Sequence, residues 1–340
     1  MRFINIFTTI LITFAICGCH RYEAYENDAY GNFDALWQTV DSRYCFFDDK
    51  EVDWESVYGE YRARIHPEMT VNEFFDLLSD MLLTLRDGHV NLVAPFNQSY
   101  YRAWWTDYPQ DFDLRTLQQF YLDFDYRTTG GIIYKILDND IGYIYYPSFS
   151  YTVGEGNLDY ILSWFKDCRS LIIDVRDNGG GNMTNINTFV ARFIHTQTLG
   201  GYIRHKTGPG HNDFSEPYPI LYDPAPQTRV HWQRPVAVLT NRSTFSAAND
   251  FVSVMKSLPG VKIIGAKTGG GAGLPFTYEL PIGWSVRLST APVSDAQDES
   301  IEGGIDPSEG FECHASAERL AQGHDDILDF ALRYLSSLER

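Results

Sequence analysis

The pattern of apolar and polar positions changes character near residue 130. From Asn32 to about Leu85 it is helical: Phe33, Leu36, Trp37 and Val40 share one face, then Trp54, Val57, Tyr58 and Tyr61 another. The third run is the sharpest. Thr70-Val-Asn-Glu73 reads as a capping box, and Phe74, Leu77, Leu78, Met81, Leu82 and Leu85 line one side. It stops at Arg86-Asp87-Gly88, with Gly88 suited to the left-handed position after a helix. His89 follows, ahead of an extended 90–93 stretch. Residues 96–130 are aromatic and irregular and predict no element. From Gly131 strand signals dominate: 132–137 and 141–146 around an Asp138-Asn139-Asp140 turn, then 171–175, 236–239, 261–264, 276–280 and 284–289. Helical spacing returns at 158–165, 186–194, after Ser246, and over an amphipathic 325–335 segment. Residues 200–232, rich in Gly, Pro and His, predict a loop. Strands alternating with helices argue for an α/β core.

Composition narrows the class. With 340 residues, 44% of them hydrophobic, the chain can bury a large core, enough for one sizeable domain and a smaller accessory one. A formal charge of −18 argues against holding nucleic acid by its phosphates. The beginning of the chain reads as a targeting segment. Arg2 supplies a positive region, and the apolar run from Ile4 to Ile16 is too short to span a bilayer comfortably. It ends Ile16-Cys17-Gly18-Cys19, which resembles a bacterial lipobox and implies lipidation at Cys19; a plain secretory signal cleaved nearby is the alternative. Either way export is expected, as a membrane-anchored lipoprotein facing the periplasm or the cell surface. Beyond Cys17 and Cys19 only Cys45, Cys168 and Cys313 remain, at most one disulfide, with no metal-ligand spacing. The expected organisation is a signal peptide (1–19), a tether (20–31), a helical domain (32–95) and an α/β catalytic domain (96–340).

Three features suit acyl-transfer chemistry. Ser246 falls where a strand ends and a helix begins, where orphan N–H groups and the helix dipole favour a developing negative charge. The same position suits an ordinary N-cap serine. Gly179-Gly180-Gly181 follows a buried strand, and glycines let backbone N–H groups approach an oxyanion; a phosphate cradle is the competing reading, but no nucleotide fingerprint is present. His89 lies beside a helix end, as a base or as a plain loop histidine. The aromatic cluster at 100–108 reads as packing or as ligand contact. Spacing alone does not connect these residues.

A resemblance does. LIIDVRDNGGG (171–181), LTNRSTFSAANDF (239–251), IIGAKTGGG (263–271), GIDP (304–307) and LRDGHVNL (85–92) occur in an order that resembles the S41 serine peptidases, the group containing carboxyl-terminal processing proteases and the tricorn core. The resemblance spans roughly residues 32–335. It implies a crotonase-like ββα core with an N-terminal helical bundle, a peptide or protein substrate, and no metal or organic cofactor. Ser246 matches the nucleophile, with Ser243 as competitor. The Ala247 N–H with that of Gly180 or Gly181 matches the oxyanion hole. Carboxyl-terminal processing proteases use a lysine where this chain has Gly271, and Lys267 lies four residues earlier. The tricorn branch takes a histidine from the helical domain and a glutamate before a G-[IV]-x-P element; His89 and Glu302 match them, with Glu299 and Asp306 close by. The resemblance thus implies a Ser–His–Glu peptidase, with a Ser–Lys267 dyad, or a catalytically silent lipoprotein that captures peptides or apolar ligands, as alternatives. Residues 93–140 are too short for a PDZ domain, so selection of free C-termini is not expected.

Overall fold

The computed structural model describes residues 25–338. The signal segment, Cys19 and residues 20–24 of the expected tether lie outside them. The tether ends sooner than its sequence suggests. Asp28 accepts the Gly31 amide and starts a helix at Ala29–Arg43, inside the stretch expected to be a tether. Helices Trp54–Arg62 and Val71–Leu83 follow, the latter with both halves of its Thr70/Glu73 capping box formed. A short helix, Phe47–Lys50, lies between the first two. The third helix ends at Leu83, and the residue that turns left-handed is Arg86 (φ 50°), not Gly88.

The helical segment does not bury its apolar faces within itself. Phe33, Leu36, Phe75, Leu78 and Met81 pack into one cluster with Leu280, Trp284, Val286 and Leu288 from a distant hairpin, Gly273–Glu279 and Ser285–Ser294. The strand after the helices, Asn91–Ala94, pairs antiparallel with Ser285–Ser294. Helices, hairpin and the His89 connection are thereby one packed body. Residues 200–232 are not simply a loop. Thr198–Ile203 and Tyr218–Tyr222 pair antiparallel, and the first joins the end of Ser285–Ser294. Gly200 and Gly201 hid this strand in the sequence, yet closeness demands them: a Cβ on Gly201 would sit 2.1 Å from the Ser294 carbonyl oxygen.

The second sheet is the core of the α/β region. Its order is Val261–Gly265, Val236–Thr240, Ser170–Asp174, Ile141–Tyr145, Ile132–Leu137 and Arg127–Thr129; the first four run parallel and the last two are joined on by antiparallel pairings. Side chains from the parallel strands face apolar layers on both sides, which explains their unbroken apolar runs. Leu171, Ile173, Val236 and Val238 meet Glu155–Trp164, Thr184–Val190 and Ala247–Ser257. Ile172, Ala237 and Leu239 meet the C-terminal helix Asp326–Ser337. Fully burying one such side chain is worth about 1.5–3 kcal/mol, so the Ser170–Asp174 and Val236–Thr240 strands form a stiff base for the turns at their ends. Cys45, Cys168 and Cys313 are unpaired.

Candidate active site

Both turns at the carboxyl ends of these strands converge. After Val236–Thr240 the chain runs through a polar turn to Ser246, whose backbone (φ 58°, ψ −129°) is one that side-chain-bearing residues rarely adopt. Such a conformation costs on the order of 1–3 kcal/mol and persists only where its surroundings impose it. Here the Ser246 amide donates to Gly270 O at 2.8 Å and the Phe245 amide to Asn178 O at 3.0 Å. Ser246 makes no side-chain capping bond to the helix it precedes, so it is not an ordinary N-cap serine. Its hydroxyl is spent elsewhere: Oγ lies 3.0 Å from His89 Nε2, 157 positions away in sequence. Ser243 sits in the preceding turn.

His89 is fixed from three sides. Its amide donates to Asp87 Oδ1 at 2.7 Å, and Asp87 Oδ2 accepts the Ser289 hydroxyl at 2.8 Å, tying the turn to the hairpin. The imidazole rests on the Phe245 ring (centroids 4.8 Å apart), and Phe245 stacks on Trp104 at 4.1 Å. Gly88 is required here for space, since a Cβ would come within 2.7 Å of Trp104 Nε1. Burial pulls the His89 pKa well below the ordinary imidazole value; Asp87 opposes the shift, and Arg287 and Lys50 reinforce it. The ring is neutral at pH 7. For Nε2 to accept the Ser246 proton, the imidazole proton must be on Nδ1, and Nδ1 is buried with no hydrogen-bond partner among the described residues.

Glu302 is close by but engaged elsewhere. It is 5% exposed; Oε1 lies 2.7 Å from Lys50 Nζ and Oε2 accepts the Ala272 amide at 2.8 Å. The structure does not bring its carboxylate onto His89 Nδ1. Of the neighbouring acids, Glu299 is exposed and Asp306 pairs with Lys267 at the surface, 3.4 Å apart. Lys267 therefore points to solvent rather than to Ser246. No lysine could stand at position 271 either: Gly271 has φ 79°, and a Cβ would lie 2.4 Å from the Phe245 ring.

The glycine turn touches the serine elbow directly. A Cβ on Gly180 would meet both Ser246 Cβ and the Ala247 nitrogen at 2.8 Å. The Gly180 amide is already held, donating to Asn178 Oδ1 at 3.0 Å. The Gly181 and Ala247 amides have no acceptor among the described residues. A cavity of about 570 Å³ is walled by residues next to the site, including Lys50, Gly88, Trp104, Phe245, Gly269 and Glu302. Lys50, Asp87, Asn178 and the Trp104–Phe245 stack escaped the sequence reading. Asp87 and Asn178 stand inside motifs that were recognised, but Lys50 and Trp104 lie in stretches with no motif.

A strained serine whose hydroxyl meets a neutral imidazole, at the start of a helix with a free amide, can perform nucleophilic acyl transfer, the arrangement of a serine-type hydrolase. Similarity to known proteins leads to a family. The model of peptidase family S41 matches residues 140–309, and that of the tricorn protease C1 domain matches residues 25–83. A solved structure of a candidate peptidase from Parabacteroides merdae is 46% identical, covers 91% of this chain and 97% of its own, and superposes with a TM-score of 0.86. Mature CPAF shares the fold at 14% identity (TM-score 0.69; 91% of this chain, 97% of that one). The photosystem II D1 C-terminal processing protease does so at 15% (0.53; 92% and 98%). A curated protein from Chlamydia trachomatis is 27% identical over 104 residues, which take in 30% of this chain and only 17% of that protein's length. The chain belongs to peptidase family S41, a family of serine-type peptidases.

Proposed function

We propose that the protein is an exported serine peptidase in which Ser246 is the nucleophile and His89 the general base, on a crotonase-like ββα core. The single observation that carries this reading is the 3.0 Å contact between His89 Nε2 and Ser246 Oγ at a strained strand-to-helix turn. Ser246 Oγ attacks the peptide carbonyl as its proton passes to Nε2. The tetrahedral oxyanion forms against the Ala247 N–H and the Gly180–Gly181 turn, with Gly181 the free donor of the two. The imidazolium then protonates the leaving amine, and water repeats the sequence on the acyl-enzyme. Glu302 is the carboxylate that orients and stabilises the imidazolium during turnover. The helical unit 32–95 delivers His89 to a catalytic unit formed by 96–340, and lipidation at Cys19 anchors the enzyme to the membrane.

The test is labelling by a peptidyl or alkyl fluorophosphonate. Ser246 should be modified, Ser246→Ala should not react, and His89→Ala should react at least about a hundredfold more slowly. Absence of labelling together with no turnover of a broad peptide library would leave a binding lipoprotein instead. Lys267→Ala should label at the wild-type rate, which removes a Ser–Lys dyad. Incorporation of a metabolically supplied lipid, lost in Cys19→Ala, tests the anchor.

A further inference from the structure

The acid assigned to orient His89 is bound to something else. Glu302 is placed by its own backbone: its carbonyl accepts the Gly271 amide at 3.4 Å, and the neighbouring Gly270 carbonyl accepts the Ser246 amide. Its side chain turns to Lys50, the last residue of the short helix Phe47–Lys50 in the N-terminal segment. That helix is itself pinned, since Arg86, in its left-handed conformation, donates from Nη2 to the Lys50 carbonyl. Meanwhile His89 Nδ1 is buried and unpartnered. A buried donor left without an acceptor is destabilising, so the described state holds an imbalance: a carboxylate with two partners, and an imidazole whose Nε2 meets Ser246 while its Nδ1 has none.

We propose that Lys50 is a positioning residue that holds Glu302 off His89 in the resting enzyme, and that release of the Lys50–Glu302 pair lets Glu302 accept the His89 Nδ1–H. The inference rests on the roles given above to His89 and Ser246. Lys50 and Glu302 stand in the wall of the same cavity as Phe245 and Gly88, so a molecule entering that cavity can contact the pair. The charges around the two groups agree with the geometry. His89 faces Asp87, Arg287 and Lys50; Glu302 faces Asp87 and Lys50, with Asp250, Tyr44 and Cys45 around it. Burial raises the Glu302 pKa, Asp87 adds to that, and the Lys50 ammonium opposes it. The ammonium thus favours the ionised carboxylate against a net upward shift, and holds it as its own partner rather than the imidazole's. When His89 takes the Ser246 proton and becomes cationic, it competes for Glu302 on equal terms, and the carboxylate exchanges one cation for the other. No bond beyond hydrogen bonds is made or broken.

The experiment follows the His89 imidazole by ¹⁵N-histidine NMR in the full chain, in wild type, Lys50→Met, Lys50→Arg and Lys50→Met/Glu302→Gln. In wild type the Nδ1–H resonance should lack the downfield position of a carboxylate-bonded proton. Lys50→Met should bring it there and raise the His89 titration midpoint by at least one pH unit, Lys50→Arg should keep the wild-type spectrum, and Glu302→Gln in the Met background should abolish the downfield proton. An unchanged Nδ1–H in Lys50→Met, or a change that survives undiminished without Glu302, overturns the proposal. If Lys50→Met does not fold, Lys50→Gln serves, because it removes the charge and keeps a hydrogen-bonding head. Fluorophosphonate labelling of the same samples separates the two readings: loss of wild-type labelling refutes the catalytic assignment, whereas the NMR result bears on Lys50 alone.

Discussion

Gly271 offers the sharpest test of how this site is packed. A β-carbon there would come within 2.4 Å of Cε2 and Cζ of Phe245, where carbon atoms are comfortable at about 3.5–4.0 Å. Phe245 is held on several sides, although one side faces the cavity. Trp104 is stacked on it, the His89 imidazole rests against it, and Gly88 closes in from the side, its own β-position 3.0 Å from Phe245 Cζ. The φ of +79° adds a backbone cost of about 1–2 kcal/mol for any L side chain. Overpacking of a filled core adds about 1–3 kcal/mol. Gly271→Ala should therefore lose about 2–5 kcal/mol, a large part of the ~5–15 kcal/mol that holds a typical domain. It should also move the ring that supports His89, and a misplacement of about 1 Å can lower reactivity by about a hundredfold. The assay is urea unfolding, read as a fall in midpoint at constant m-value, alongside the rate of fluorophosphonate labelling. A double-mutant cycle with Phe245→Ala isolates the cause: with the ring gone, the extra methyl should be tolerated, giving a coupling of at least ~1 kcal/mol. Additive losses, or a Gly271→Ala protein within about 0.5 kcal/mol of wild type that labels normally, would refute the steric argument and reopen position 271 to a catalytic side chain.

Two further outcomes follow from buried ionisable groups. Because burial depresses the His89 pKa, its neutral form persists below the ordinary imidazole value, and the acid limb of kcat/KM should fall below about pH 6.5; a limb at or above pH 7 would contradict the burial argument. Asp250, four residues after Ser246, has an Oδ1 without a partner, and burial, with Glu302 adding, pushes its pKa from 3.8 to about 7. A raised folded pKa means stability present below pH 4 and lost as pH climbs towards 7, with a ceiling of about 4 kcal/mol. Asp250→Asn should match wild type in urea at pH 4 and gain stability progressively up to pH 8; an equal difference at every pH would count against it.

The legible parts of this fold were those written in local chemistry. The Thr70/Glu73 capping box, the Asp138–Asp140 turn, the parallel strands and the serine junction are decided within a few residues, and the chain alone shows them. The hairpin at 198–222 was hidden because its glycines and Pro219 answer to a neighbouring strand rather than to their own segment. The left-handed residue after the third helix went to Arg86 because Gly88 was already needed under Trp104, a residue sixteen positions on and in a segment without periodicity. At the site, Ser246, His89 and the glycine turn could be proposed from ordered motifs. Lys50 could not, because it acts on Glu302 across 252 positions of chain and carries no motif. What a sequence conceals here is which partner a charged group has chosen.

That choice also governs the turn beneath the serine. Asp174 ends a central strand, and Arg176, with no exposed surface, binds it through Nε and Nη2 and reaches Asp325 with Nη1 at 2.8 Å. Tyr143 donates to Asp174 Oδ2 at 2.7 Å, the guanidinium lies 4.5 Å from the Phe112 ring centroid, and Asp325 caps the C-terminal helix. One cation thus holds two buried carboxylates from distant parts of the chain, immediately before the Asp177–Gly181 turn that abuts Ser246. Such a cluster adds little stability over a well-packed apolar substitute, but losing one member strands the others, at about 3–5 kcal/mol. Arg176→Met should show that loss in urea and slow Ser246 labelling, because the glycine turn loses its anchor. Adding Asp174→Asn and Asp325→Asn to the Met variant removes the stranded charges and should recover much of the stability. Labelling should then follow the turn rather than the stability: if the recovered triple variant still labels slowly, the cluster's role is to aim the turn, and if labelling never changes, the cluster serves the fold alone and the argument linking it to the site fails.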